Sequence, residues 1–199
     1  MKIQAWKQVG EDTVLQKSPY GGKEFRQRRF IKPGAEEPDV FDLYGRRNGA
    51  IVFPVTEDGK VIVVRQFRQG ITEITIELPA GTARSGEDMR AAAGRELREE
   101  TDYEPGELFQ TSNAVWLDAT NSWVVDRTFV ALGCRRVAEV ADNPREPIEL
   151  VLMSIEEWMA RAFKSEGNDS GTVAAMFYVI PHLLRRGLIT PKMMLGWGE

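Results

Sequence analysis

The amino-acid sequence predicts an α/β fold, with a mixed β-sheet and helices on both of its faces, preceded by a small antiparallel β-meander. From residue 50 onward, runs rich in β-branched residues alternate with helix-forming segments, which is typical of a sheet covered by helices. Before residue 50, short strand-like runs are separated by turns that contain Gly and Pro. With 199 residues, of which 42% are hydrophobic, the chain suffices for one large domain or a domain with a small appendage.

The first strand-like runs read "KIQAW", "DTVLQ", "EFRQRRFI" and "VFDLYG", with turns near "SPYGG" and "KPGAEEP". We therefore expect residues 1–48 to form an N-terminal β lobe, either a separate lobe or a dimerisation arm. Residues 49–199 are expected to form the main domain.

The main domain opens with "AIVFPVT" and "KVIVVRQF", two strands on either side of the hairpin turn "EDG". A third strand, "ITEITIELPAG", stops at Pro79 and Gly81. The next segment predicts a helix over residues 87–101, since it contains three consecutive alanines and begins with acidic residues that suit a helix N-terminus. Further strands are "ELFQTSNAVW", "SWVVDRTFVALG" and "IELVLM", with helices over 155–164 and 171–186.

Charge and composition narrow the classes of function. The net charge of −4 and the pI near 5.3 argue against a broad nucleic-acid-binding surface. A single cysteine, Cys134, rules out an intrachain disulfide framework, and His182 is the sole histidine, so histidine-based metal sites and Ser-His-Asp catalysis are poor candidates. The N-terminus has no signal-type apolar region and no window approaches 18 apolar residues. We expect a cytoplasmic protein with no membrane partner.

Three glutamates, Glu96, Glu99 and Glu100, fall within one turn of the helix predicted over 87–101. Like charges at this spacing destabilise a helix by about 0.2–0.5 kcal/mol per pair. On a helical wheel they lie at the margin of the apolar stripe that contains Leu97, where partial burial raises their pKa or recruits a cation. The cluster is either a solvated face with Arg–Glu pairs or an oxygen-ligand site for Mg²⁺, with Mn²⁺ as the alternative.

The surrounding spacing favours the metal site. Five residues separate Gly81 from Glu87, and seven more lead to the run "RELREE", residues 95–100, with Tyr103 close behind. This pattern resembles the signature of the Nudix hydrolase family. One position departs from it: Asp102 stands where the family has glycine. That glycine ends the helix, and Asp tolerates the positive φ expected there better than most residues do.

The resemblance implies a Nudix-type α/β/α sandwich that hydrolyses a diphosphate linked to another moiety. It also implies that Glu96, Glu100 and the carbonyl of Ala80 are metal ligands, and that Glu99 is a ligand or catalytic base. In the family, the metal screens the negative phosphate oxygens and lowers the pKa of a bound water. Glu87 and Arg95 are expected to hold the loop and helix in place.

The segments "VRQFR" and "ELPAG" resemble those of the branch that cleaves ADP-ribose and other nucleoside diphosphate sugars. This resemblance implies that Arg68 binds the diphosphate and that Glu77 lies near the nucleotide end of the substrate. Strand alternation puts Arg65 on the opposite face from Arg68, where it is better explained as a surface charge. In this branch the N-terminal strands commonly pair between two subunits, so a homodimer is expected. An aromatic residue there stacks on the adenine; the candidates are Tyr20, Phe25 and Tyr44.

The loop "DNPREP" corresponds to a loop that carries acidic residues in this branch. Glu146 is the candidate for an extra metal ligand or the general base, with Asp142 and Glu149 as alternatives. Pro144 and Arg145 stand where a carboxylate is expected, which leaves the identity of the base open.

Three functions follow from these observations. The first is metal-dependent hydrolysis of a nucleoside diphosphate sugar, with ADP-ribose, cleaved to AMP and ribose 5-phosphate, as the favoured small-molecule substrate. The second keeps the reaction but changes the substrate to GDP-mannose, NADH or another nucleotide. The third is a Nudix domain that only binds a nucleotide, which is disfavoured because the signature carboxylates are intact.

Overall fold

The computed structural model describes residues 3–18, 22–116, 118–137, 147–164 and 169–195. The chain divides into two compact units: residues 1–48 with 116–125, and residues 49–115 with 126–199. Among the described ranges, no helix has both the length and the hydropathy that crossing a membrane requires.

The described residues form twelve strands and four helices. The strands are β1 Lys7–Lys17, β2 Glu24–Ile31, β3 Asp39–Gly45, β4 Gly49–Thr56, β5 Lys60–Arg68, β6 Glu73–Glu77, β7 Ala80–Thr82, β8 Tyr103–Glu104, β9 Glu107–Gln110, β10 Val115–Trp116, β11 Val125–Arg136 and β12 Ile148–Ser154. The helices are α1 Met89–Thr101, α2 Ile155–Lys164, α3 Ser170–Arg185 and α4 Pro191–Leu195.

The first unit contains a three-stranded antiparallel sheet in the order β1-β2-β3. This confirms the predicted meander. Beside the sheet, the indole of Trp123 packs against the backbone of Gly45, where a Cβ would lie 2.6 Å from the indole ring. Glycine is therefore required at position 45, and its contact with Trp123 joins residues 116–125 to this unit.

The second unit contains a mixed sheet. Strands β11, β4, β5 and β12 are neighbours in that order; β11 and β4 run parallel, whereas β5 is antiparallel to both β4 and β12. Two short strands that matter for the site extend it, since β6 pairs with β5 and β7 pairs with β4.

Alternation along β4 separates the core of the second unit into two layers. Ala50 and Val52 face Leu97 of α1, whereas Ile51 and Phe53 face α2 and α3. The Phe53 ring lies edge-on to Trp158 of α2, with 4.8 Å between ring centroids. The prediction of helices on both faces of a mixed sheet is thus confirmed.

Helix α1 is defined by caps at both ends. Asp88 is the N-cap and its carboxylate accepts hydrogen bonds from the backbone N–H groups of Arg90 and Ala91, at 2.9 and 3.2 Å. At the other end Asp102 adopts the left-handed conformation, φ 57°, and its N–H donates to the Arg98 carbonyl. The helix therefore begins at Met89, two residues later than predicted, because Asp88 serves as the cap.

Candidate active site

The close approach of β7 to α1 creates the candidate site in the second unit. Gly81 pairs with Ala50 of β4. The carboxyl group of Glu96 lies directly over Gly81, where an added Cβ would come within 2.0 Å of the Glu96 Cδ. Only glycine at position 81 allows the Glu96 carboxylate to rest against the β7 backbone.

Glu100, one turn further along α1, also faces β7. Its Oε2 accepts a hydrogen bond from the backbone N–H of Ala80 at 3.0 Å. Burial raises the pKa of Glu100 to about 8, and the nearby charge of Glu96 adds to the increase. Among the described residues, no lysine, arginine or histidine forms an ion pair with Glu100.

The Glu96 side chain is also largely buried, with 14% of its surface exposed. Burial raises its pKa, although its Oε1 accepts a hydrogen bond from Arg95 Nη1 at 2.7 Å. Glu96 and Glu100 are thus two neighbouring carboxylates whose charged forms are disfavoured by their surroundings.

Arg95 connects the helix to the loop before it. Its guanidinium donates to both oxygens of Glu87, at 2.9 and 3.0 Å, and to the Thr82 carbonyl at 3.1 Å. These bonds hold the pKa of Glu87 well below its usual value, at about 2. Arg95 also donates to Glu99, which accepts a second bond from Arg84, at 2.8 and 2.9 Å. Arg95 is therefore shared by Glu96 and Glu99, whereas Glu100 accepts its hydrogen bond from the backbone of Ala80.

The donor set fits a hard divalent cation. The carboxylates of Glu96 and Glu100 offer oxygen ligands on one helix face, and burial makes their negative charges costly unless a cation neutralises them. Within the described ranges, no three histidine, cysteine, aspartate or glutamate side chains converge closely enough to hold a metal ion, since Glu99 turns toward Arg84 and Arg95.

Arg68 and Glu77, predicted to bind substrate, contact each other. Arg68 Nε donates to Glu77 Oε1 at 2.7 Å and its Nη2 donates to Oε2, which makes a two-pronged pair. Glu77 is 2% exposed and Arg68 is 43% exposed. The pKa of Arg68 is raised chiefly by this pairing, with further contributions from the charges of Asp169 and Glu100.

The other predicted residues lie elsewhere. Glu146 and Asp142, the candidates on the downstream loop, fall outside the described residues. Glu149 accepts a hydrogen bond from Arg65 at 2.8 Å, and both side chains are exposed on the sheet. This pair lies on the opposite face of β5 from Arg68, as strand alternation requires.

The structure adds residues that sequence reasoning missed. Thr75 is 2% exposed and its hydroxyl donates to Glu77 Oε1 at 2.5 Å. Gln66 donates its amide to Glu77 Oε2 at 3.3 Å. Asp169 caps α3, and its charge acts on Arg68. Alternation along β6, which puts Thr75 on the same face as Glu77, was the available signal for Thr75.

The first unit contains a pocket of about 400 Å³. Phe25, Tyr44 and Arg46 are among its lining residues. The Tyr44 hydroxyl donates to Asp118 Oδ2 at 2.7 Å. Tyr20, the third aromatic residue suggested by the sequence, lies outside the described residues.

Comparison with known proteins places the chain in a family. The family model described as NUDIX domain matches residues 45–173. A methanol dehydrogenase activator from Bacillus methanolicus is 31% identical over 67% of this chain and 73% of its own length. An ADP-ribose pyrophosphatase from Bacillus subtilis is 30% identical over 66% of this chain and 71% of its own. The crystal structure of an ADP compounds hydrolase superposes on this chain with a TM-score of 0.76 at 19% identity, and the match covers 95% of this chain and 100% of that one. The chain belongs to the Nudix family and is a Nudix hydrolase.

Proposed function

We propose that the protein hydrolyses the diphosphate linkage of a nucleoside diphosphate sugar in a metal-dependent reaction, converting ADP-ribose to AMP and ribose 5-phosphate. The observation that carries the proposal is the pair of buried carboxylates, Glu96 and Glu100, against the backbone of Ala80 and Gly81. The likeness to the Bacillus subtilis ADP-ribose pyrophosphatase supports the choice of substrate.

Glu96, Glu100 and the carbonyl of Ala80 would hold the metal, and Mg²⁺ is the expected ion, with Mn²⁺ as the alternative. When bound, the metal polarises the phosphoryl group and lowers the pKa of an attacking water. Burial disfavours the negative charge of both carboxylates, so ionising them and binding a cation are coupled.

Glu99 is the proposed base within the described residues. Half of its side-chain surface, 49%, is exposed, and its two arginine partners keep it beside the metal-binding carboxylates. Glu146 stays a prediction for the base or an additional ligand. A substrate-bound structure that shows which carboxylate contacts the attacking water separates the two.

Other residues are proposed to bind the rest of the substrate. The guanidinium of Arg68 is proposed to bind the diphosphate, because its planar fork matches phosphate oxygens. Stacking of the adenine on an aromatic residue of the N-terminal strands, with Phe25 and Tyr44 as the described candidates, stays a prediction from the family resemblance. We place the reaction in the cytoplasm, in a homodimer.

A substrate panel tests the proposal. The protein is incubated with Mg²⁺ and, separately, ADP-ribose, GDP-mannose, NADH and nucleoside triphosphates, and phosphate is measured after a phosphomonoesterase is added. We expect release from ADP-ribose at the highest rate. Faster cleavage of another compound would identify that compound as the substrate in place of ADP-ribose. No phosphate release from any compound in the panel would favour a domain that only binds nucleotides.

A second candidate function is favoured by the likeness to the methanol dehydrogenase activator. The protein would then raise the rate of a methanol dehydrogenase. The test is the dehydrogenase rate with and without this protein, together with the variant Glu100→Gln. Stimulation that is lost in the variant would link activation to hydrolysis, and no stimulation would dismiss this candidate.

A further inference from the structure

We propose that Glu77 and Thr75 are positioning residues: they do not touch the substrate but hold the guanidinium of Arg68 where it meets the diphosphate. This inference rests on the proposed function and deepens it. It assigns a role to Thr75, and it replaces direct contact between Glu77 and the nucleotide with an effect that passes through Arg68.

The register of the β5–β6 hairpin shows why Arg68 needs such support. Arg68 pairs with Glu73, Gln66 pairs with Thr75, and Val64 pairs with Glu77. Four residues along β5 separate the row of Arg68 from the row of Glu77, a span of roughly 13 Å at about 3.3 Å per residue. Arg68 must therefore bend back along the sheet, over the middle row, to reach Glu77.

Glu77 anchors this bent side chain. It is 2% exposed, and both of its oxygens accept hydrogen bonds from Arg68. Gln66 and Thr75 donate to the same carboxylate, at 3.3 and 2.5 Å. With four donors around it, the Glu77 carboxylate has no free surface to offer a nucleotide.

Thr75 in turn holds the Glu77 carboxylate in place. Its side chain is buried, at 2% exposure, and its hydroxyl donates to Glu77 Oε1, with the Gln66 carbonyl as a weaker second acceptor at 3.3 Å. A hydroxyl in this place matters more than the volume of the side chain, because it is the donor that orients the carboxylate.

The pairing fixes one edge of the Arg68 guanidinium. Its Nε and Nη2 are both bound to Glu77. Since 43% of the side chain is exposed and the charge of Glu100 acts on the guanidinium, Arg68 lies beside the proposed metal-binding face. Glu77 thus removes conformational freedom from Arg68 before the substrate arrives.

A double-mutant cycle tests the proposal, with Arg68→Gln, Glu77→Gln and the double variant assayed on the substrate that the wild type cleaves. We expect each single change to lower kcat/KM about 10–100-fold, mainly through KM. Arg68→Gln removes the charge-assisted hydrogen bond to the diphosphate, and Glu77→Gln releases the guanidinium from the position in which it makes that bond. The double variant is expected to be no worse than Arg68→Gln alone. Losses that multiply in the double variant would mean that Glu77 acts on the substrate directly, and would overturn the proposal.

Two substitutions at Thr75 give an independent test should Arg68→Gln fail to fold. Thr75→Val keeps the shape but removes the donor, and we expect KM to rise about 3–10-fold. Thr75→Ser keeps the donor and should restore KM to within about twofold. The opposite order, with Val harmless and Ser harmful, would show that Thr75 serves packing alone.

The pair Arg65 and Glu149 is the matched control. It joins an arginine of the same strand to a glutamate on the opposite face of the sheet, at 2.8 Å. Arg65→Gln should leave KM unchanged, because the Arg65–Glu149 pair is exposed on the opposite face of β5 from Arg68 and such surface pairs contribute little. If the wild type cleaves nothing in the panel, the proposed function fails; if it cleaves a substrate but the cycle is additive, only the present inference fails.

Discussion

Glu100 is a carboxylate whose surroundings oppose its charge, and burial raises its pKa to about 8. In the unfolded chain the same group titrates near 4.5. Its protonated form therefore stabilises the metal-free fold fully below pH 4.5, and this stabilisation is lost as pH rises toward 8. Divalent metal, which binds the ionised form, is expected to restore stability at high pH.

The measurement is thermal unfolding in EDTA between pH 5 and pH 8. We expect the wild type to lose on the order of 3 kcal/mol relative to Glu100→Gln over this range, because the amide does not ionise. Glu104→Gln, a change at an exposed carboxylate paired with Arg98, is the control and should follow the wild type. Parallel curves for the wild type and Glu100→Gln would contradict the assigned pKa.

Asp102 departs from the family signature, and the structure shows its consequence. Its φ of 57° is left-handed, and its Oδ2 is buried without a hydrogen-bond partner among the described residues. Both features cost stability, and an acidic group also opposes the helix dipole at this end of α1. We expect Asp102→Gly to stabilise the protein by about 1 kcal/mol, measured by urea unfolding. A lower midpoint in the variant would show that the carboxylate has a partner.

At the residue level, the sequence predicts that Glu96 and Glu100 lie together at the buried margin of one helix, because they are four residues apart. Their role as metal ligands stays a prediction. It does not predict that Arg68 binds Glu77, because the two are separated by a hairpin whose register decides the contact. Strand alternation identifies the face that a residue occupies, but the length of an arginine side chain lets it reach another row.

At the level of elements, the loop before α1 is held by one ion pair. Arg95 and Glu87 are each 16% exposed and share two hydrogen bonds. Glu87 also accepts a bond from the backbone N–H of Arg84, at 2.6 Å. The pair therefore fixes the course of the chain between β7 and α1, which positions Glu96.

We expect Glu87→Gln to lower kcat/KM about 10–100-fold while the protein stays folded, because the loop loses its anchor but the proposed metal ligands remain. The loss should appear with Mn²⁺ as well as with Mg²⁺. Steady-state kinetics and circular dichroism check the prediction. Wild-type kinetics in Glu87→Gln would show that Arg95 is held well enough by its other partners.

The three predicted helices agree closely with their sequence-based bounds, since each has local signals. The five-residue helix α4 was not predicted, because it is too short to show a helical pattern. Helix α2 spans Ile155–Lys164, and the backbone N–H of Glu157 donates to the Ser154 hydroxyl at 3.0 Å, which is one half of a capping box. Helix α3 ends near Gly187, which has a φ of 68°. Capping residues and a C′ glycine are close in sequence to the helix ends that they mark, so these ends can be predicted without knowledge of tertiary contacts.

At the scale of the whole molecule, the layered arrangement of the second unit follows from alternation along its strands. The membership of residues 116–125 in the first unit does not, because it depends on contacts far apart in sequence. One is the packing of Trp123 on Gly45, and another is the hydrogen bond from Tyr44 to Asp118. Local periodicity carries no information about such pairings.

The proposed homodimer is a property of the whole molecule. The first unit exposes several large apolar side chains, including Trp6, Phe25 and Val40, at 44%, 53% and 55%. Burying such residues between subunits would stabilise a dimer. We expect light scattering after size-exclusion chromatography to give twice the chain mass of 22.5 kDa. A mass of one chain at micromolar concentration would contradict the dimer.

Binding of Mn²⁺ measured by electron paramagnetic resonance, on the wild type, Glu100→Gln and Glu104→Gln, tests the central claim most directly. We predict that Glu100→Gln weakens binding at least tenfold and abolishes hydrolysis, because the buried carboxylate that a cation neutralises is gone, whereas Glu104→Gln leaves both unchanged. Equal Mn²⁺ affinity in the wild type and Glu100→Gln would contradict the claim that α1 and β7 form the metal site.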